Sequence, residues 1–195
     1  MKVILVRHGD AKNQDGVFHG VTNVSLTKEG EDEAYDAAQR VKGLKPSIIY
    51  SSPVRRAAQT ATIISQVLGI PMRIAEELKP LDLGQFVGKD IEDNLDKVRY
   101  YLENQGEKIP KGQSVSDWRN RYAPFFNKFF HNKSDQSVLF ATHGRNFILT
   151  KSLVKKDPSI LSNETQSSEH GGIAIATPPN KFEMLDAKSV KPGQS

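Results

Sequence analysis

Two stretches of this sequence run from apolar residues directly into a histidine that is followed by glycine. They read VILVRHGD at residues 3–10 and SVLFATHGR at residues 137–145, so His8 and His143 each follow a predicted buried strand. The carboxyl ends of parallel strands meet at one edge of a sheet, where loops and helix starts gather around ligands. The spacing therefore predicts a site in which two histidines act together.

A third stretch adds arginines at the start of a helix. The sequence SSPVRRAAQTA at residues 51–61 places Arg55 and Arg56 in the first turn of a predicted helix after a short strand. Cations are disfavoured there, because that end of the helix dipole is already positive. They become favourable when an anion lies between them and the backbone amides. Together with Arg7 and the two histidines, Arg56 predicts a pocket for a phosphate dianion.

Apolar runs that alternate with helical patterns predict the elements that carry these residues, an α/β sheet with crossover helices. Predicted strands cover residues 2–6, 47–50, 72–75, 137–141, 171–177 and 181–185. Predicted helices cover residues 27–43, 52–69, 90–105, 114–131 and 146–155. Ser52 is the expected cap of the second helix, and Pro53 its first position. The pattern predicts one domain at residues 1–187 and a flexible tail at residues 188–195.

The composition excludes several kinds of chemistry and partner. The 195-residue chain contains no cysteine, which excludes disulfides, zinc–thiolate sites and thiol nucleophiles. Its net charge of +4 comes from lysines and arginines scattered among 23 acids, which indicates a solvated surface rather than a nucleic-acid partner. No apolar run approaches the ~20 residues of a membrane helix, so a cytoplasmic protein is predicted. Neither histidine has further ligands at metal-binding spacing, and no metal is expected.

In this order the motifs resemble those of the histidine phosphatase superfamily, also called phosphoglycerate mutase-like. The resemblance runs over nearly the whole chain. It is carried by RHGD at 7–10, FHG at 18–20, VSLTKEG at 24–30, SSPVRRAAQTA at 51–61, GQS at 112–114 and THG at 142–144. It implies a single three-layer α/β/α domain, with a mostly parallel central sheet flanked by helices, that requires no cofactor.

The resemblance also implies a role for each matching residue. His8 would attack phosphorus and become phosphohistidine, while His143 would bind the oxygens of the transferring phosphoryl group. Arg7 and Arg56 would clamp the equatorial oxygens as charge spreads over them in the transition state. Arg55 matches a variable position and is expected at the surface.

Further residues match positions on the phosphate or leaving-group side. These are Asn13, which lies one residue closer to the histidine than is usual, His19, Gly20 and, through its amide, Gly144. Asp10, His131 and His170 are instead predicted to be structural. An aromatic stripe between Trp118 and Phe130 has the spacing of a core-facing helix surface.

One position departs from the family pattern. Phosphatases of this type usually carry L-x-E-x-x-x-G-x-x-x-G, whose glutamate protonates the leaving group. Residues 78–88 read LKPLDLGQFVG here, with Pro80 in the glutamate position. Asp82 is the nearest carboxylate in this loop and is the predicted general acid; the alternative is that it only turns the chain before Gly84. Without an acid the substrate would need a good leaving group, because lost proton transfer costs ~10²–10⁴-fold.

The leading prediction is a phosphatase that hydrolyses phosphomonoesters of a small metabolite through phosphohistidine. The alternative is a protein phosphohistidine or phosphoserine phosphatase, because a phosphoramidate leaves easily without the glutamate. A phosphoglycerate mutase and a non-catalytic phosphate-binding module rank lower. Mutases resemble longer chains with extra segments, and only the missing glutamate favours a binding module. The sequence carries no signal for the physiological substrate or the oligomeric state.

Overall fold

The computed structural model describes residues 1–12, 16–164 and 169–185. Its strands are β1 Lys2–Arg7, β2 Pro46–Ser51, β3 Met72–Ile74, β4 Ser137–Thr142, β5 Ile173–Thr177 and β6 Lys181–Leu185. They form one six-stranded sheet in the order β3-β2-β4-β1-β5-β6. The first four strands are parallel, whereas β5 is antiparallel to both β1 and β6. The mostly parallel sheet is therefore confirmed.

Helices cover both faces of this sheet. They are α1 Lys28–Lys42, α2 Arg55–Leu68, α3 Ile91–Glu103, α4 Val115–Phe130, α5 Gly144–Lys155 and α6 Ile160–Asn163, with short 3-10 helices at Glu76–Leu78 and Gly84–Phe86. The sequence pattern does not predict α6 or the 3-10 helices, because three or four residues are too few for a periodic signal. No helix in the described ranges has the length and apolarity to cross a membrane.

Alternation along β1 divides the core into two clusters. Ile4 and Val6 face one way and pack with α1 and α2, while Val3 and Leu5 face the other and pack with α3, α4, α5 and α6. Successive side chains of a strand point to opposite faces, so one apolar run contributes to both layers. The aromatic stripe of α4 lies in the second cluster, as predicted. This arrangement confirms the three-layer fold.

The helix caps explain where the elements begin. Thr27 caps α1 through a hydrogen bond from the Gly30 amide, as the sequence predicts. The prediction for the second helix is wrong, because α2 begins at Arg55 and its cap is Val54, which is extended. Pro53 therefore does not start the helix, and the Ser52 hydroxyl accepts a hydrogen bond of 3.3 Å from the Val54 amide. The predicted tail at residues 188–195 lies outside the described residues.

Candidate active site

Three neighbouring strands deliver side chains to one edge of the sheet. β4 lies between β1 and β2, and its register pairs Arg7 with Thr142. His8, Ser52 and His143 are the next residues after the three strands, so they leave the sheet at the same edge. The ring centroids of His8 and His143 are 5.2 Å apart. The prediction that the two histidines meet is confirmed.

The tautomer of His8 follows from its neighbours. Its Nδ1 atom lies 2.8 Å from the carbonyl oxygen of Gly9, and because a carbonyl only accepts, Nδ1 carries the proton. Nε2 is left with a lone pair, which accepts a hydrogen bond of 2.9 Å from Nε of Arg56. Burial lowers the pKa of His8 well below its usual value, and the nearby His143 and Arg56 lower it further. His8 is therefore neutral at pH 7, with an unprotonated Nε2.

Arg56 connects both histidines to the loop before α1. Its guanidinium donates to the carbonyl oxygens of Thr22 and Gly20, at 2.9 and 2.8 Å, and its Nη2 lies 3.3 Å from Nδ1 of His143. Burial lowers the pKa of Arg56 to about 10, so it remains a cation at pH 7. The adjacent Arg55 is exposed, as expected. Of the two arginines in the motif, only Arg56 reaches the site.

His143 is held by a serine that sequence reasoning assigned to a helix cap. Its Nε2 atom lies 2.9 Å from Oγ of Ser52, while its Nδ1 atom faces a donor on Arg56. The ring is therefore neutral, with Nε2 donating to the serine. Burial lowers the pKa of His143 well below its usual value, and Arg56 adds to this effect. Ser52 is identifiable in retrospect as the first residue beyond a strand at the active edge.

A buried polar network fixes the start of α5 beneath this ring. The Asn146 amide donates to Oγ1 of Thr142 at 2.6 Å and to the carbonyl oxygen of Leu78 at 2.8 Å. Its own oxygen accepts from the indole of Trp118 at 3.0 Å. A fully satisfied buried network is rigid, and each lost bond leaves an unpaired polar group. The network therefore fixes the end of β4 and the start of α5 on either side of His143, a role that the sequence does not reveal.

Arg7 contacts a third histidine. Its Nη2 atom lies 3.0 Å from Nε2 of His170, whose ring centroid is 5.5 Å from that of His8. Burial and the charge of Arg7 lower the pKa of His170 to about 4. The purely structural role expected for His170 does not describe this position. Because β5 runs antiparallel to β1, the residues that precede β5 arrive at the same edge as those that follow β1.

The glycine after His8 is required by packing. A Cβ atom on Gly9 would lie 2.1 Å from the carbonyl oxygen of Gly30 in α1. The Gly9 amide donates to Oγ1 of Thr60 in α2 at 3.2 Å. The next residue, Asp10, accepts from the Thr27 hydroxyl at 2.6 Å, which agrees with its predicted structural role. The motif loop thus lies directly against two helices, which hold His8 in place.

These side chains surround a cavity of about 220 Å³. Its wall is formed by Arg7, His8, Val17, Phe18, His19, Gly20, Arg56, Pro80, Leu81, Leu83, Ile91, Leu95, His143, Gly144, Arg145, Ile148 and His170. We call it the catalytic cavity. Three arginines and four histidines are among the described residues of this wall, and none of these residues is a carboxylate.

Most of the predicted site residues lie on this wall, with two exceptions. His19, Gly20 and Gly144 line the cavity. Asn13 lies outside the described residues. Asp82 is not part of the wall. Arg145 is a further wall residue that sequence reasoning missed, although an arginine in the first turn of a helix is the same signal that identified Arg56.

The position of Asp82 in the structure does not support its nomination as the general acid. Its neighbours Leu81 and Leu83 face the catalytic cavity, whereas Asp82 lines a second, neighbouring cavity. The Asp82 carboxylate accepts a hydrogen bond of 3.0 Å from the Gly84 amide, which is the turn-forming alternative. Close packing fixes this loop, since a Cβ atom on Gly84 would lie 2.4 Å from the Gly112 amide. Asp82 therefore does not accompany the histidines.

The described residues contain no group of three or more histidine, cysteine or acidic side chains that could hold a metal. The arginines of the catalytic cavity would repel a divalent cation. Catalysis without a metal stays a prediction.

Sequence comparison identifies related proteins over most of the chain. A sequence profile of the histidine phosphatase superfamily (branch 1) matches residues 3–170. A putative phosphoserine phosphatase from Hydrogenobacter thermophilus is 31% identical over 149 residues, which cover 73% of each chain. A 2,3-bisphosphoglycerate-dependent phosphoglycerate mutase from Bartonella quintana is 29% identical, in an alignment that covers 96% of this chain and 97% of the mutase.

Solved structures share the fold. A mycobacterial glucosyl-3-phosphoglycerate phosphatase superposes with a TM-score of 0.76 at 19% identity, over 94% of this chain and 96% of the other. The α-ribazole phosphatase of Shigella flexneri also gives a TM-score of 0.76 at 19% identity, over 95% of each chain. At this identity the likeness concerns the fold alone.

Proposed function

Since this chain belongs to the histidine phosphatase superfamily, we propose that it hydrolyses phosphomonoesters of a small phosphorylated metabolite through a phosphohistidine on His8. One observation carries the proposal. The contact of Nδ1 with the Gly9 carbonyl oxygen leaves the Nε2 lone pair of a buried, neutral imidazole among cations. An unprotonated nitrogen in a pocket that attracts phosphate is what nucleophilic attack on phosphorus requires.

In the first step, the Nε2 lone pair forms a bond to phosphorus while the bond from phosphorus to the leaving oxygen breaks. Arg7 and Arg56 surround the phosphoryl oxygens and stabilise the charge that spreads over them, and His143 lies beside them against Arg56. In the second step, water attacks the phosphohistidine, inorganic phosphate departs and His8 regains its lone pair. Splitting the displacement in this way replaces one difficult step with two easier ones.

The leaving group is the point at which this site differs from the family pattern. The leaving oxygen needs a proton unless it departs as a weak base, and the described wall of the catalytic cavity offers no carboxylate. Aryl phosphates, acyl phosphates and phosphoramidates should therefore react faster than simple alkyl phosphates, by about 10²–10⁴-fold. The same observation favours phosphohistidine as a second candidate substrate.

The decisive test uses p-nitrophenyl phosphate in the presence of excess chelator. Wild-type protein should release nitrophenol and inorganic phosphate in equal amounts, and His8→Ala should lose this turnover while retaining its circular dichroism spectrum. Turnover that survives in His8→Ala would exclude the proposed nucleophile. Tight phosphate binding without turnover in the wild type would identify a binding module instead.

A further inference from the structure

Arg145 is a cation on the wall of the catalytic cavity that phosphoryl transfer does not use. It lies in the first turn of α5, two residues after His143, and shares the cavity with His8. Like Arg56, it sets a positive side chain against the positive end of a helix, where cations are disfavoured. Arg145 therefore does not stabilise the helix at this position, which suggests that it has a role in the cavity.

The charge of Arg145 is uncompensated among the described residues. It belongs to none of their ion pairs, and its Nη1 atom is enclosed without a hydrogen-bond partner there. Burial lowers its pKa to about 10, so it is still charged at pH 7. Arg56, by contrast, donates to two carbonyl oxygens and to His8. Arg145 therefore retains capacity to bind an anion.

We propose that Arg145 binds a second anionic group, a carboxylate or a phosphate, on the leaving-group side of the substrate. A half-buried cation without a counter-ion is unfavourable, and an anion from the substrate removes that cost. The helix start beside it favours the same sign of ligand. This inference rests on the proposed phosphatase function and names its substrate class, a phosphomonoester with a second anion.

The remainder of the wall suggests what joins the two anions. The reacting phosphoryl group is bound by Arg7, Arg56 and the two catalytic histidines, which leaves Arg145 for another part of the molecule. The other wall residues are largely apolar side chains, namely Val17, Phe18, Leu81, Leu83, Ile91, Leu95 and Ile148. An apolar or planar spacer therefore fits between the anions within the cavity of about 220 Å³.

Matched aryl phosphates test this inference directly. The first pair is carboxyphenyl phosphate and carbamoylphenyl phosphate, each as the 3- and 4-isomer, which differ in one charge at nearly constant shape. The second pair is 1,4-phenylene bisphosphate and phenyl phosphate, which tests phosphate as the second anion. The readout is the ratio of kcat/KM within each pair, measured in wild type, Arg145→Gln and Arg55→Gln. Changes in leaving-group basicity cancel when the same ratio is compared between variants.

In at least one pair, Arg145→Gln should lower the ratio at least 10-fold, as loss of a buried charge-assisted contact requires. Arg55→Gln should leave both ratios at the wild-type value, because Arg55 is exposed. Ratios unchanged in Arg145→Gln would overturn the proposal, and an equal loss on both members of each pair would make Arg145 a ligand of the reacting phosphoryl group. Failure of the wild type to hydrolyse any of these esters would instead overturn the proposed phosphatase function.

Thermal unfolding without ligand gives a second readout that does not depend on turnover. Arg145→Met keeps the apolar stem and removes the uncompensated charge, so Tm should rise, by about 2–4 °C for a gain near 1 kcal/mol. A fall in Tm would show that Arg145 already has a stabilising partner within the protein, and would count against an open anion site.

Discussion

Two adjoining cavities of this protein both have charged side chains on their walls, but these side chains have different partners. The catalytic cavity and the neighbouring cavity share Pro80 and are separated by the loop at residues 80–83. The neighbouring cavity is larger, at about 610 Å³. Its wall is formed by Val21, Asn23, Pro53, Val54, Glu76, Lys79, Pro80, Asp82, Gln113 and Arg121.

The charges of the neighbouring cavity are satisfied by the protein itself. Arg121 donates to the backbone carbonyl oxygens of Glu76, Glu77 and Lys79 at 2.9 to 3.1 Å. Lys79 pairs with the Glu76 carboxylate at 2.6 Å, and Asp82 accepts from the Gly84 amide. These contacts hold the backbone on both sides of the loop at residues 80–83. They leave these charged side chains little capacity to bind a ligand.

The wall of the catalytic cavity carries three arginines and no acid among its described residues. Arg56 donates to imidazole and carbonyl acceptors, and Nη1 of Arg145 has no hydrogen-bond partner among the described residues. The positive potential of this cavity is therefore available to an incoming phosphate. The comparison teaches that the net charge of the wall, and not the number of charged residues, distinguishes the site from the scaffold beside it.

The largest effect should come from removing a cation on the catalytic side. Arg56→Gln should lower kcat/KM for p-nitrophenyl phosphate about 10²–10³-fold, since it removes a donor to the transition state. Arg55→Gln is the matched control at the adjacent exposed position and should stay within about twofold. Steady-state kinetics check both, and comparable losses in the two variants would contradict the assignment of Arg56.

Removing Arg121 from the neighbouring cavity should lower the stability of the fold rather than the rate of turnover. Arg121→Met deletes hydrogen bonds to the carbonyl oxygens of Glu76, Glu77 and Lys79 and should cost about 2–4 kcal/mol in the free energy of unfolding. Urea denaturation measures this cost. The comparison would fail if Arg121→Met kept its stability but lost turnover as severely as Arg56→Gln.

Low pH should destabilise the folded protein because two histidines of the catalytic cavity, His8 and His143, are buried in their neutral form. Burial, aided by nearby cations, keeps the pKa of His8 and His143 well below the usual value in the folded state. Below about pH 6.5 these histidines are protonated in the unfolded chain but remain neutral in the folded protein. The free energy of unfolding therefore falls as pH falls, by up to about 1.4 kcal/mol per pH unit for each histidine. Above that pH these two groups have no effect.

Urea titrations between pH 7 and pH 5 measure this slope. His143→Gln should reduce it by the share of one histidine. A wild-type stability that is constant between pH 7 and pH 5 would show that the buried histidines take up protons without cost.

The smallest effect is expected for the carboxylate nominated from the sequence. Because Asp82 lies in the neighbouring cavity and turns the loop at Gly84, Asp82→Asn should change the rates for aryl and alkyl phosphates by less than about threefold. Parallel assays on p-nitrophenyl phosphate and an alkyl phosphate check this. A loss confined to the alkyl phosphate would restore Asp82 as the general acid.

The sequence predicts the fold and the centre of the site because both depend on local patterns. Short motifs show that His8 and His143 each follow a buried strand and that Arg56 lies in the first turn of a helix. Because the strands are parallel, these residues reach the same edge of the sheet. His170 was missed because its place depends on the antiparallel direction of β5, which no local pattern encodes.

The side on which Asp82 lies could not be predicted for a similar reason. It depends on the direction of one side chain in an irregular loop, which the close contact of Gly84 with Gly112 fixes. The Ser-Pro pair at residues 52–53 predicts a helix cap because such pairs favour helix starts. The contact of Ser52 with His143 joins residues that are distant in the sequence, so no local pattern indicates it. The parts that were missed are those decided by long-range packing.

The most direct test of the account is to trap the intermediate. Protein mixed with a phosphate-labelled aryl ester and quenched in alkali within one turnover should carry label on the peptide that contains residue 8, and this label should be stable in alkali and lost in acid, as expected of a phosphoramidate. Label on a hydroxyl side chain, or hydrolysis with no labelled protein at any time, would contradict a phosphohistidine at His8.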